Sequence, residues 1–207
     1  MKTKRYHRMA VLLLICLLCA AQVACAGSSA PRTQDVYDEV VALIESSIEL
    51  NDVMFGQGLP VWSFDSDFAT EHHLYHDSDD AYYQYVTDAS PYRSIPQLQE
   101  AILGIYSKDY AAELFETLFD GFAVGTTIVR PQYIEQNGYL MQRTDYTPIL
   151  TQRRLFDFST LRVVRPSDRD HLTVEIESYL EGESERVTDR LYLVREASGW
   201  RLDTPTY

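Results

Sequence analysis

The chain has 207 residues, and its 18 basic side chains against 31 acidic ones give a formal net charge of −13. A surface of that sign repels phosphate backbones and anionic lipid headgroups, so nucleic acid is not expected as a partner, whereas a cationic protein or metal ions remain compatible. All three cysteines, Cys16, Cys19 and Cys25, sit at the start of the sequence. The chain beyond Cys25 can therefore have no disulfide, no disulfide-linked partner, no thiolate nucleophile and no cysteine-ligated zinc.

Lys2, Lys4, Arg5 and Arg8 precede an apolar stretch from Met9 to Ala21, and small residues come next. That order of positive charge, apolar run and small residues is the order of a secretion signal. The stretch is shorter than the roughly 20 residues a membrane-crossing helix needs. Residues 1–26 are therefore expected to be a signal peptide and residues 27–32 a flexible tether, with a single domain over 33–207 that works outside the cytoplasmic membrane. Without the four signal cations, 14 basic residues face 31 acidic ones, a net charge of −17.

Two processing routes stay open. Ala24-Cys25-Ala26 fits a small-x-small cleavage site that releases Gly27 onward. Gln22-Val23-Ala24-Cys25 resembles the lipobox of bacterial lipoproteins, with Gln22 where leucine is usual. That resemblance implies an acylated Cys25 and a lipid-anchored rather than freely secreted protein, since two acyl chains give stable membrane attachment.

From Gln34 to Phe55, apolar residues at Val36, Val40, Val41, Ile44, Ile48 and Val53 lie opposite Asp38, Glu45 and Glu49, which predicts an amphipathic helix ended by Gly56-Gln57-Gly58. Periodicity is lost from Leu59 to Ser90, where a loop with one short helix and one strand, Tyr82 to Val86, is expected. Ser94 followed by Ile95 and Pro96 starts a second helix to Tyr106, and Ser107 caps a third from Lys108 to Phe119. The period then changes to two. Thr126 to Ile134 and Tyr139 to Arg143 flank Asn137-Gly138, a tight-hairpin signal. Further strands are expected over Thr160 to Arg165, His171 to Leu180, Val187 to Glu196 and Trp200 to Leu202. Leu172, Val174 and Ile176 should face helices while Thr173, Glu175 and Glu177 face out. Helices first and antiparallel strands after predict an α+β fold, with the N-terminal helices packed on a curved C-terminal sheet.

The densest polar cluster is Asp65, Asp67, Glu71, His72, His73, His76, Asp77, Asp79 and Asp80. On a helix, His72 and His76 share one face and could present two imidazoles to a metal. The order lacks the glutamate between spaced histidines of a metalloprotease, and Asp77-Ser78-Asp79-Asp80 lacks the glycine and distal glutamate of an EF-hand loop. No Gly-x-Ser-x-Gly elbow occurs, and His171 falls on the polar side of a strand, so hydrolase activity is not expected, and no catalytic residue and no cofactor are assigned. Tyr75, Tyr82, Tyr83, Tyr85 and Tyr92 crowd the poorly patterned segment, where they could be half-buried core or a binding surface.

Leu191-Tyr192-Leu193-Val194 followed by Gly199-Trp200-Arg201-Leu202-Asp203 resembles the final hairpin of NTF2-like cone domains, which implies a sheet curled around helices to leave a small-ligand pocket. Ser107-Lys108-Asp109-Tyr110-Ala111, then Asn137-Gly138-Tyr139-Leu140-Met141-Gln142 and the Gly-Trp end, is similar in order to the IseA-type inhibitors of cell-wall DL-endopeptidases. That likeness implies an exported, non-enzymatic binding or inhibitory module at the bacterial envelope that regulates cell-wall hydrolases, and the acidic charge favours a basic partner such as a cationic wall hydrolase. The alternatives are an NTF2-like ligand binder and a metal-binding envelope protein that uses the histidine segment.

Overall fold

A computed structural model describes residues 30–63, 67 and 83–207. Cys25 and the His72 and His76 pair lie outside them. Helix α1 covers Thr33–Phe55, α2 Ile95–Ile105 and α3 Lys108–Phe115, which runs on into a wider π turn over Glu116–Asp120. The helix expected as far as Phe119 thus stops being α-helical at Phe115.

Local chemistry explains where these helices begin. Asp35 accepts the backbone N–H of Arg32 at 3.1 Å and also binds its guanidinium, which closes the first turn of α1 and places a carboxylate at the positive end of the helix dipole. The Ser94 hydroxyl accepts from Gln97 N–H and the Ser107 hydroxyl from Tyr110 N–H. Each satisfies a donor that a helix start leaves without an internal partner.

The strands are β1 Tyr83–Tyr85, β2 Phe122–Val124, β3 Thr127–Val129, β4 Tyr133–Gln136, β5 Tyr139–Arg143, β6 Arg154–Val164, β7 His171–Leu180, β8 Val187–Glu196 and β9 Gly199–Leu202. They form three antiparallel sheets rather than the one expected: a meander β6-β7-β8-β9, a three-stranded sheet β1-β5-β4 and the lone pair β2-β3. The architecture is α+β. Two expected strands need correction. Thr126 to Ile134 is not one strand but parts of β3 and β4, because Pro131 has no N–H to give to a ladder. The strand expected from Thr160 begins at Arg154, and its first half was hidden by a register jump between Asp157 and Arg162.

That jump is a β-bulge held by its own side chains. The Thr160 hydroxyl donates to Asp157 O at 2.7 Å and accepts Glu177 N–H at 2.8 Å, while the Asp157 carboxylate accepts the Ser159 hydroxyl at 2.6 Å. Four residues, Phe158 to Leu161, stand opposite the single Ile176, and the extra residues break the period of two by which strands are read.

The meander lays one face on the helices. Leu172, Val174 and Ile176 of β7, Leu191 and Leu193 of β8 and Trp200 and Leu202 of β9 share a core with Val40 and Ile44 of α1, Ile102 of α2, Tyr106 just beyond it and Leu114 of α3. Polar contacts fix the angle of α1 on the sheet: Glu39 accepts Trp200 N–H at 2.7 Å and Thr33 accepts Val163 N–H at 2.9 Å. A smaller cluster of Leu59, Val86, Leu98, Tyr133 and Leu140 seats the β1-β5-β4 sheet against α2.

Candidate functional site

From Gly121 to Val129 the sequence carries no charged residue, and it folds into the lone hairpin β2-β3. Val124 pairs with Thr127, which leaves Gly125 and Thr126 as a two-residue turn. Gly125 has φ +61°, the positive first position a type II′ turn requires. Ile128 is 78 % exposed and Val124 60 %, both well out in water for large apolar side chains. Among the described residues neither strand of the hairpin has a second partner, so backbone donors and acceptors line its edges.

An isolated two-stranded hairpin is marginal in water, and here its base is fastened. Gly121 has φ +69°, and a Cβ there would lie 2.5 Å from Val129 O and 3.0 Å from Pro131 Cδ. Only glycine lets the two ends of the hairpin come so close. Across the base, Tyr83 donates its hydroxyl to Pro131 O at 2.8 Å and Arg143 Nη1 donates to Arg130 O at 2.6 Å. Phe119 packs on Phe115 and Tyr133 at 5.7 and 6.4 Å between ring centroids. The hairpin therefore projects from a fixed root.

Charge is handled differently on the meander. Glu175 lies between Arg190 and Arg162, at 2.6 and 2.8 Å, and Arg186 reaches Asp157 at 2.7 Å. The hydrogen bond from Arg190, ahead of that from Arg162, holds the Glu175 carboxyl below its ordinary range. Ser159, then Arg186, does the same for Asp157. A general acid at neutral pH needs a carboxyl pushed the other way.

On the helical side of the sheet, a buried polar cluster ties the chain end down. Tyr106 donates to Asn51 Oδ1 at 2.9 Å, Asn51 donates to Thr206 at 2.9 Å, and the Ser47 and Thr206 hydroxyls are 2.7 Å apart. Burial pushes the Tyr106 phenol up to about 12. Beside this cluster a cavity of about 30 Å³ is lined by residues that include Ile48, Asn51, Leu150, Arg154 and Thr206. That is room for a water rather than for an organic ligand.

Of the residues singled out in the sequence, Cys25, His72 and His76 lie outside the described set, as do Tyr75 and Tyr82. Asp67 is described and exposed. Tyr83 and Tyr85 are core residues, 3 % and 6 % exposed, so at these two positions the binding-surface alternative gives way to packing. His171 is exposed, with Nδ1 3.2 Å from the Asp168 carboxylate that also caps the turn before β7. Among the described residues no three His, Cys, Asp or Glu side chains gather into a metal-holding group, and no helix is long and apolar enough to cross a membrane.

Sequence reasoning missed the hairpin. Its signals were present: a proline two residues after Val129, a glycine between two aliphatic pairs, and a run free of charge in a strongly acidic chain. No protein-family model and no curated protein matches the sequence.

Proposed function

We propose that the chain is an exported, non-enzymatic binding module of the bacterial cell envelope, held at the membrane by a lipid on Cys25 and acting on a cationic protein partner. Its role is to regulate cell-wall hydrolases. The observation that carries this reading is the hairpin: Val124 and Ile128 stand out in water on a fastened base, where they add little to folding. Val124 lies on one face of the hairpin and Ile128 on the other, so both faces offer apolar surface that a partner can cover, and a rigid presenting element lowers the ordering cost of binding.

Other features support the same reading. Export and a lipid anchor are what the first 26 residues suggest, and a charge of −17 without the signal favours a basic partner. The IseA-type resemblance supplies the class of partner. The inner face of the meander is packed with side chains against α1, which argues for surface recognition over an enclosed ligand site, although an NTF2-like relation of the sheet is compatible with it.

Purified domain added to a DL-endopeptidase digesting peptidoglycan tests this function. Slower clearing of wall turbidity at low salt, relieved at high salt, is the expected result. Unchanged clearing by every envelope hydrolase tried would contradict it.

A further inference from the structure

Four acidic residues, Asp109, Glu113, Glu116 and Asp120, succeed one another along α3 and its π turn at helical spacing, and all four are exposed. They share one side of that segment, and the last of them immediately precedes Gly121. Carboxylates three or four apart repel one another on a helix. The contrast with the meander is direct: there Asp157, Glu175, Glu177 and Asp189 each have an arginine, whereas among the described residues none of these four forms an ion pair. The stripe alone is no site. It becomes informative because it leads to the root of an uncharged, exposed hairpin whose strands have unpaired edges.

We propose that the β2-β3 hairpin inserts into an apolar-floored cleft of the partner protein, and that the Asp109, Glu113, Glu116 and Asp120 stripe lies along a lysine- and arginine-rich rim of that cleft. This rests on the binding function proposed above and adds how the partner is engaged. Charge selects the occupant. A second copy of the chain would bring two unpaired acidic stripes together, and an anionic membrane surface would meet the same repulsion. A protein with a basic rim neutralises the stripe while Val124 and Ile128 leave water. The two elements divide the labour: the stripe governs how fast and at what salt the complex forms, and the hairpin governs how long it lasts.

A photo-crosslinking residue placed at Ile128, with a second chain carrying it at Thr188 on the meander's outer face, tests the contact in envelope extract. The crosslinked protein is then purified and its affinity measured against variants. The expected result is a basic protein crosslinked from position 128 and not from 188. Val124→Asp/Ile128→Asp should weaken its binding by about 100-fold or more. Glu113→Gln/Glu116→Gln should weaken it by about 10-fold at low salt, with the loss vanishing at high salt.

Crosslinking to a second copy of the chain or to lipid overturns the proposal. So does a basic partner that binds the hairpin variant as tightly as the wild type, and in that case the binding function survives while the mode of engagement falls. A wild-type domain that captures no basic protein at either salt removes the function itself. A urea midpoint unchanged in both variants shows that the losses are not losses of folding.

Discussion

Leu191 and Leu193 on β8 are 3 % and 1 % exposed, while Val124 and Ile128 on the β2-β3 hairpin are 60 % and 78 % exposed. Both pairs are aliphatic residues on short-range antiparallel strands. The difference lies in what each strand has beside it. β8 has a strand on either side and α1 over its inner face, so Leu191 and Leu193 are sealed, and on its outer face Arg190 is paired with Glu175. The hairpin has its partner strand and a glycine-proline root. Side chains of one chemistry thus serve the core in one place and are left available for contact in the other.

Truncations separate the two regions most widely. Leu193→Ala or Ile44→Ala should cost about 2–5 kcal/mol in urea denaturation, because each deletes fully buried methyl groups and leaves a cavity. Ile128→Ala should move the same midpoint by no more than about 0.5 kcal/mol. Equal costs would mean that the hairpin is packed in solution and would erase the distinction.

Thr206→Val sharpens the core side of the comparison. The shape is kept, but Ser47, Asn51 and Tyr106 lose the hydroxyl they share. Stranding those buried groups should cost about 1–3 kcal/mol, and denaturation monitored by tyrosine fluorescence would register it.

Gly121→Ala probes the root of the hairpin. A methyl group 2.5 Å from Val129 O at a φ of +69° should force the base open at a cost of about 1–3 kcal/mol. Amide exchange of Phe122 to Val129 should quicken while β7 stays protected. At Gly125, which has open space around it, Gly125→Ala should cost less than Gly121→Ala, since the added methyl group meets no atom and only the positive φ of the turn is strained.

The smallest effect concerns acid. Folding lowers the Glu175 carboxyl from its ordinary 4.5, so the stability it contributes is present above that pH and is lost as pH falls through the lower folded value. Glu175→Gln should therefore narrow the stability gap between pH 7 and pH 3 slightly, because the pair is solvent-facing and screened. An acid limb identical to wild type would show that the arginines on the meander do not favour the charged form.

Much of the fold was legible. The α1 stripe, the two serine caps, Asn137-Gly138 with φ values of +54° and +83°, and β7 and β8 to the residue all come from periodicity and turn chemistry. The features that escaped reading did so for physical reasons. The bulge at Asp157 to Arg162 interrupts alternation, so half of β6 looked like loop. The hairpin is apolar on both sides, and a run without alternation reads as one strand until Pro131 is taken as a break. Exposure of an aliphatic residue depends on what packs beside it in three dimensions, so Ile128 could not be told from a core position. The sites named in advance, Cys25, His72 and His76, lie outside the described residues, and the hairpin was found only once neighbours were placed.

The most direct test sets stability and recognition against each other in one protein. Val124→Asp/Ile128→Asp domain and wild type should be denatured in urea and titrated with the basic envelope protein that the wild type captures. An unchanged midpoint with binding weakened about 100-fold is the predicted result. A lowered midpoint with binding retained would show that these side chains hold the fold together and that recognition lies elsewhere.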